Sequence, residues 1–274
     1  MTGFTYRGLH SIRDIGIIFK TVARPPYPPP RIKNETIPYR DGSIDYSDEH
    51  GRIYYDDKVL ELELSIVDKG LIPLHEKITK VVSWLAGGYS DLIFDDMPLT
   101  VWNAMPVSLD AIAPELARLG KTTVQFRCTP FNNAMFDSVG PVLRGDILLN
   151  SDIPIGFGEE IEFDLQSGQN TLDFPYIGTA YSSPQLYFTD TTATIVTVTC
   201  NGKTISYDGS INGLVIDCKR YSCFYNGTDV SSNAAGDYFE FSPGQSNQIK
   251  ITCNATAHVE VIYDLSFFYG VTGL

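Results

Sequence analysis

The residues best suited to chemistry are carboxylates that follow one another closely. The run Glu159–Asp164 attracts attention because glycosidases work with two carboxylates as acid and base. In a strand, alternation places Glu160, Glu162 and Asp164 on one face and the apolar residues between and after them on the other. Adjacent carboxylates on one exposed face are typical of a solvated surface. We therefore expect a surface strand here and no catalytic pair.

Two other groups of reactive residues also have simpler structural explanations. The four histidines, His10, His50, His75 and His258, are scattered without the HExxH spacing of a metal site. Asp95-Asp96 before Met97-Pro98 could ligate a hard cation, but a turn with an aspartate cap explains it equally well. The sequence has no GxSxG elbow, P-loop or GxGxxG. We expect no catalytic residues, no metal and no cofactor.

The cysteines and the N-terminus indicate the compartment. The five cysteines form no CxxC pair, so neither a zinc site nor a disulfide framework is expected. The N-terminus lacks an apolar core of signal-peptide length, and no stretch approaches the length of a membrane span. We expect a soluble protein made in the cytosol, with buried reduced thiols and no membrane partner.

Charge excludes one class of partner and divides the chain. The 274 residues carry 20 Lys and Arg against 33 Asp and Glu, a net charge of −13, which argues against specific nucleic-acid binding. Residues 1–138 hold 15 basic and 18 acidic side chains, whereas residues 139–274 hold 5 and 15. A stretch rich in turn formers, 130–142, lies between them. The sequence predicts two domains, 1–138 and 139–274.

The first domain has patterns of both strands and a helix. Leu60, Leu62, Leu64 and Ile66 alternate with polar residues, which predicts a half-buried strand. Apolar residues recur at helical spacing over 71–85, ending before Gly87-Gly88, so we predict one helix of about four turns. The segment Pro25–Pro30 cannot enter a sheet interior because proline lacks the donor, so it is expected to be an extended connector.

A long hairpin arm is predicted between this connector and the Leu60 strand. Asp41-Gly42 reads as a turn that opens into alternating Ile44 and Tyr46, followed by Ile53 and Tyr55, with 48–51 as the tip. A hairpin alone is marginally stable in water. The arm should therefore need another surface to lean on.

The second domain reads as all β. Short segments of strand composition follow one another about every ten residues, without helical periodicity. Asn201-Gly202 between two of them is the strongest two-residue hairpin signal. We predict a β-sandwich or jelly roll, so the whole chain should be mainly β.

The order of these segments resembles the distal tail proteins (Dit) of long-tailed bacteriophages over nearly the whole chain. Tyr39 departs from the family pattern, which has glycine or another small residue before the Arg-Asp-Gly turn. The segments that carry the resemblance are 37–46, 60–67, 84–87, 92–98 and 124–130 in the first domain and 178–188, 201–203, 213–217 and 241–247 in the second.

The resemblance implies a structural protein at the tail tip of a virion, assembled in the host cytoplasm. The first domain would be a β-rich belt domain with one helix that forms a homo-hexameric ring, with two rings back to back in isolation. The second would be a galectin-like or jelly-roll sandwich. The implied partners are the major tail tube protein and the tail-associated spike or lysin protein, with receptor-binding proteins as a further partner left open. DNA would pass through the lumen.

Two sets of candidate site residues follow from this resemblance and from the unsupported arm. The candidate ring-interface residues are Arg40, Asp41, Gly42, Ile44, Tyr46, Tyr54, Tyr55, Leu60 and Leu62. The candidate lumen-facing acidic residues are Asp45, Asp48, Glu49, Asp56 and Asp57, where like charge would keep DNA from adhering.

Two other classes of function remain open at this point. The sandwich is compatible with a carbohydrate-binding adhesin, and the acidic run with a glycan-cleaving enzyme. Sugar sites of galectin type use a tryptophan face surrounded by polar groups, but residues 139–274 contain no tryptophan and one histidine. Tyr181, Tyr187, Tyr221 and Tyr225 could replace it as stacking platforms.

Overall fold

The computed structural model describes residues 3–49, 51–67, 74–109, 113–116, 119–135 and 162–270. The chain divides into two compact units, Met1–Asn133 with Phe268–Val271, and Ala134–Phe267 with Thr272–Leu274. The division at 133/134 lies close to the predicted boundary at residue 138. The prediction missed the return of the segment after Phe267 to the first unit. Most of the expected linker, the beginning of the acidic run, His50 and the predicted start of the helix lie outside the described residues.

The first unit is a single antiparallel sheet with one helix against it. Its sheet order is β2-β1-β7-β8-β10-β6-β3, with β9 beside β10, and β4 pairs only with β5. A short π-helical turn, Ser11–Ile15, joins β2 to β3. The elements are β1 Phe4–Tyr6, β2 Leu9–His10, β3 Ile17–Ala23, β4 Asn34–Glu35, β5 Ile44–Asp45, β6 Lys58–Val67, α1 Leu74–Leu85, β7 Ser90–Phe94, β8 Met97–Leu109, β9 Ala113–Leu116, β10 Leu119–Cys128 and β11 Asn132–Ala134.

The predicted strand and helix of the first unit are confirmed by its core. Leu60, Leu62 and Leu64 are fully buried, and the polar residues between them are on the opposite face. Helix α1 buries Val81, Trp84 and Leu85 against this sheet. The indole N–H of Trp84 donates to the backbone carbonyl of Tyr6 over 2.9 Å, which gives the buried polar atom its partner.

The second unit has two antiparallel sheets, each with one buried face. Their orders are β12-β22-β14-β17-β18-β19 and β13-β21-β15-β16-β20, and Phe163 of the first sheet meets Phe174 of the second at 5.4 Å. The strands are β12 Glu162–Leu165, β13 Gly168–Tyr176, β14 Gln185–Thr189, β15 Ile195–Cys200, β16 Lys203–Asp208, β17 Leu214–Asp217, β18 Ser222–Tyr225, β19 Thr228–Asp229, β20 Ala234–Gly236, β21 Gln245–Cys253, β22 Ala257–Ile262 and β23 Ser266–Phe267, with a 3-10 turn at Ser231–Asn233.

This arrangement confirms the mainly β prediction, and one turn shows how local chemistry produces it. Asn201 and Gly202 both have positive φ, 49° and 78°, and Cys200 pairs with Lys203 across them. Two central residues of left-handed conformation match the right-handed twist of the flanking strands. The Asn-Gly hairpin predicted from the sequence is therefore confirmed, whereas the galectin-like character of the sandwich stays a prediction.

A buried lysine lies where the first unit closes. The side chain of Lys58, at the start of β6, is 1% exposed. Its ammonium group donates to the side-chain oxygen of Asn132 and to the backbone carbonyl of Phe268, each over 2.9 Å, and lies 4.5 Å from the centre of the Trp102 ring. Burial lowers the pKa of Lys58 from 10.5 to about 8, against an opposing interaction with Cys128. The group is charged at neutral pH, so these three partners take the place of water.

We expect this lysine to make stability depend on pH in the alkaline range. Because its pKa is lower in the folded than in the unfolded chain, the unfolded chain binds more protons between about pH 8 and 10.5. The free energy of unfolding should therefore rise across this window by roughly 3 kcal/mol relative to a Lys58→Met variant, and the difference should be flat below pH 8. Denaturant titrations of both proteins at several pH values measure it. Parallel curves for the two proteins would contradict the buried cation.

Candidate functional site

An extended arm, residues 29–56, leaves the body of the first unit. Its outgoing and returning legs are joined by main-chain bonds of 2.8 Å from Asp56 to Pro29, Arg31 to Tyr54 and Tyr46 to Lys33, where the first residue donates its N–H. Asn34 and Glu35 pair with Asp45 and Ile44 between these bonds. The tip of the arm is consequently formed by residues 36–43.

This pairing corrects the predicted one. The sequence suggested that Ile44 and Tyr46 face Ile53 and Tyr55 around a tip at 48–51. In the structure 48–51 is a turn within the returning leg, closed by the N–H of Gly51 on the carbonyl of Asp48 over 2.8 Å. The partner is the proline-rich segment, because a proline carbonyl still accepts a hydrogen bond although its nitrogen donates none.

The arm exposes apolar side chains along its length. All described residues from 31 to 43 are exposed, among them Ile32 at 66% and Ile37 at 42%, and Ile53 on the returning leg is exposed as well. Tyr39 at the tip is fully exposed. Single exposed apolar residues are ordinary, but a row of them on a narrow projection marks a surface that a partner covers.

Tyr39 also has an unusual backbone. Its φ is +65°, in the left-handed region that glycine adopts freely and that costs an ordinary residue roughly 1–2 kcal/mol. The family pattern, with a small residue at this place, fits that conformation. A tyrosine here adds strain and, within the chain, gains no burial, so its ring is suited to contact with another molecule.

The candidate ring-interface residues are distributed over three places. Arg40, Asp41 and Gly42 lie at the exposed tip, and Ile44, Tyr46 and Tyr54 are half-buried on the returning leg. Tyr55 lies at the base of the arm, where its hydroxyl accepts from that of Tyr27 over 2.7 Å. Leu60 and Leu62 do not belong to this surface. Both are fully buried in the core of the first unit, because alternation along β6 points them toward α1.

Most of the candidate lumen-facing carboxylates have partners on the chain. Glu49 pairs with Lys33 at 3.1 Å, Asp56 with Arg31 at 2.6 Å, and Asp57 pairs with Arg127. Hydrogen bonds from Ser47 lower the pKa of Asp45, and Asp48 is exposed. The cations reduce the field of three of the five carboxylates. The acidic surface is therefore weaker than the count of carboxylates suggests.

The other reactive residues of the first unit have structural roles. His10 caps the π-helical turn by accepting the N–H groups of Ile12 and Arg13 at Nδ1, and its Nε2 lies 3.2 Å from the carboxylate of Asp95. Asp95 also accepts the N–H of Gly3. Among the described residues no group of three or more His, Cys, Asp or Glu could hold a metal ion.

The acidic run forms an exposed edge in the part that the structure describes. Glu162 and Asp164 project from the exposed face of β12, and His258 of β22 hydrogen-bonds Asp164 over 2.9 Å. This hydrogen bond raises the pKa of His258. Glu159 and Glu160 lie outside the described residues. The arrangement pairs the carboxylates with a histidine on an open strand, and no described helix is long and apolar enough to span a membrane.

The tyrosines of the second unit do not converge on one platform. Tyr187 is half-buried and donates its hydroxyl to Gln185 over 3.0 Å, while the Tyr225 hydroxyl lies 3.2 Å from that of Ser210. Tyr221 is exposed and meets Tyr238 edge to face. Their hydroxyls and rings are engaged at separate places, which leaves the stacking surface of a sugar site unformed.

Comparison with known proteins gives the class and then the fold of the whole chain. Residues 13–128 match the family model of the phage tail protein RIFT-related domain. This stretch comprises most of the first unit, which therefore belongs to that family. The family resemblance seen in the sequence is thereby confirmed. No curated protein sequence matches the chain significantly.

The solved structures extend this likeness to the second unit. The Dit protein (gp 19.1) of phage SPP1 matches 97% of this chain and 99% of its own at a TM-score of 0.62, with 14% identical residues. A chain of the phage P2 baseplate matches 95% and 98% at a TM-score of 0.42, with 8% identity. The likeness to the SPP1 protein shows that the chain has the fold of a distal tail protein across both units.

The dispersed tyrosines predict that the protein binds no galactoside. Calorimetric titration of the full chain with lactose should give no heat beyond dilution, because no described aromatic ring has polar groups placed around it to receive sugar hydroxyls. Binding in the micromolar range that is lost in Tyr187→Ala or Tyr225→Ala would contradict this and favour the adhesin.

Proposed function

We propose that the protein is the distal tail protein of a long-tailed phage or prophage and forms a hexameric ring at the tip of the tail. The observation that carries the proposal is the exposed arm, which projects from a phage tail domain with a row of uncovered apolar residues. The protein of similar fold from phage SPP1 is described as a paradigm of the hub adsorption apparatus in phages that infect Gram-positive bacteria.

A ring follows from the two unequal surfaces of the first unit. The arm is one, and the free edge of β3, which pairs only with β6, is the other. Ile18 and Val22 on β3 are exposed, and Lys20 is its one charged residue. A long apolar edge strand invites pairing with another chain. When two different patches meet head to tail, the contacts repeat and close into a ring if the rotation allows.

This role fits the remaining features of the chain. As a hub, the ring joins the major tail tube protein to the tail-associated spike or lysin protein, with the second unit as an accessory docking module. The protein has no catalytic task, since its carboxylates and histidines serve caps, ion pairs and a strand edge. DNA passes through the lumen without specific binding, in keeping with the net charge of −13.

Tyr39 gives a specific test of the ring. In Tyr39→Gly the protomer should keep or slightly raise its melting temperature, because the left-handed backbone suits glycine and no buried contact is lost. The ring should dissociate at a concentration at least about tenfold higher, because the ring of Tyr39 would be buried against a neighbour. Light-scattering mass across a dilution series measures this.

Tyr221→Gly is the matched control. Tyr221 also has a positive φ, 53°, and is exposed, but it belongs to the second unit. The ring of this variant should be as stable as that of the unmodified protein. A protein that stays monomeric at the highest attainable concentration, or a Tyr39 variant with unchanged ring stability, would count against the arm as the interface.

A further inference from the structure

The arm is anchored at its base by an aromatic cluster that includes a residue from the far end of the chain. Tyr27 precedes the outgoing leg and Tyr55 ends the returning leg. Phe268 stacks on Tyr27, with centroids 5.2 Å apart, and meets Tyr55 and Phe131 edge to face, each at 5.4 Å. One ring thus contacts both legs of the arm.

The residues around Phe268 are fixed to the first unit by several independent contacts. Lys58 donates to the carbonyl of Phe268, and the side-chain amide of Asn132 donates to the carbonyl of Tyr269. The ring of Tyr269 meets that of Trp102 edge to face at 6.0 Å. We call Phe268, Tyr269 and Gly270 the C-terminal clamp.

Gly270 completes the clamp by close approach. A Cβ atom at this position would lie 2.3 Å from the terminal methyl of Met97, so the backbone runs directly against β8. With Phe268 held by Lys58 and Tyr269 by Asn132, all three residues have defined positions within the first unit. A segment fixed so closely can in turn fix what packs on it.

The arm has little else to set its direction. Its legs share a two-residue strand pair and three further main-chain bonds, and its ion pairs are exposed. Exposed ion pairs contribute little, and a short two-stranded ribbon is marginal by itself. Aromatic pairs at the base are the strongest contacts by which the arm is tied to the sheet.

We propose that the C-terminal clamp positions the arm for assembly, so that the ring closes only with chains whose last residues are seated on the first unit. The inference rests on the proposed ring and names what regulates its interface. Because the N-terminal part of a chain is made first, the arm exists before the clamp does. Seating of Phe268 would then delay ring formation until the chain is complete and folded.

The test is Phe268→Ala in the full chain, with exchange of arm amides as a readout that needs no ring. Below the concentration at which rings form, the amides of Arg31 and Asp56 should exchange at least about tenfold faster than in the unmodified protein, because two aromatic contacts to the legs are lost. The ring should dissociate at a correspondingly higher concentration. Phe224→Ala, a half-buried aromatic of the second unit, is the control and should change neither.

A second variant keeps the test decisive if Phe268→Ala unfolds. Tyr27→Ala removes the same stack from the arm side, where the ring is half exposed, and should accelerate the same amides while the core keeps its melting temperature. Unchanged exchange in both variants would overturn the clamp. If exchange accelerates but the unmodified protein forms no ring, the proposed function fails and the clamp stands. If exchange accelerates and the ring is unaffected, the clamp positions the arm but does not control assembly, which overturns the proposal.

Discussion

The structure of the first unit depends on how it satisfies one buried positive charge. The ammonium group of Lys58 cannot reach water, so its hydrogen bonds must be made to protein oxygens, and removing either oxygen would leave a buried donor unsatisfied at a substantial cost. One oxygen comes from Asn132, at the end of the first unit, and the other from Phe268, more than two hundred residues later than Lys58. The core is therefore complete only when the chain has returned from the second unit.

This constraint places the end of the chain beside the base of the arm. Lys58 begins β6 directly after the returning leg, so the same residues that neutralise it also bring the Phe268 ring to Tyr55 and Tyr27. A charge in the core and an exposed projection are thus linked by a few residues. The arm itself pairs a proline-rich leg with a polar one and leaves its apolar side chains uncovered, which suits an element that is stable only in an assembly.

The second unit is built on a different principle. Each of its sheets buries one face through strict alternation, as in Val259 and Val261 of β22 and Ile249 and Ile251 of β21, and short turns of glycine and asparagine connect the strands. Its polar residues are used in turns and strand edges. A self-sufficient sandwich and a first unit with an uncovered arm are what an accessory module on an assembling ring requires.

The sequence by itself determined the elements whose cause is local. The alternation in Leu60–Leu64 predicted β6, the apolar spacing over 71–85 predicted α1, and Asn201-Gly202 predicted a hairpin, because side-chain periodicity and positive φ act within a few residues. Segment order likewise carried the family resemblance. The arm was recognised from its composition, but its pairing was not, since the leg at 29–35 has no strand periodicity.

Only the tertiary structure decided the contacts between residues far apart in the chain. Nothing near Lys58 in the sequence distinguishes it from an exposed lysine at the start of a strand, and its burial follows from Asn132, Trp102 and Phe268 meeting around it. Leu60 and Leu62 were assigned to the arm because their alternation shows that one face is buried without showing against what. The return of Phe268 to the first unit has no local signal, because an aromatic residue near a chain end fits either unit equally well until the fold brings Tyr27, Tyr55 and Phe131 together.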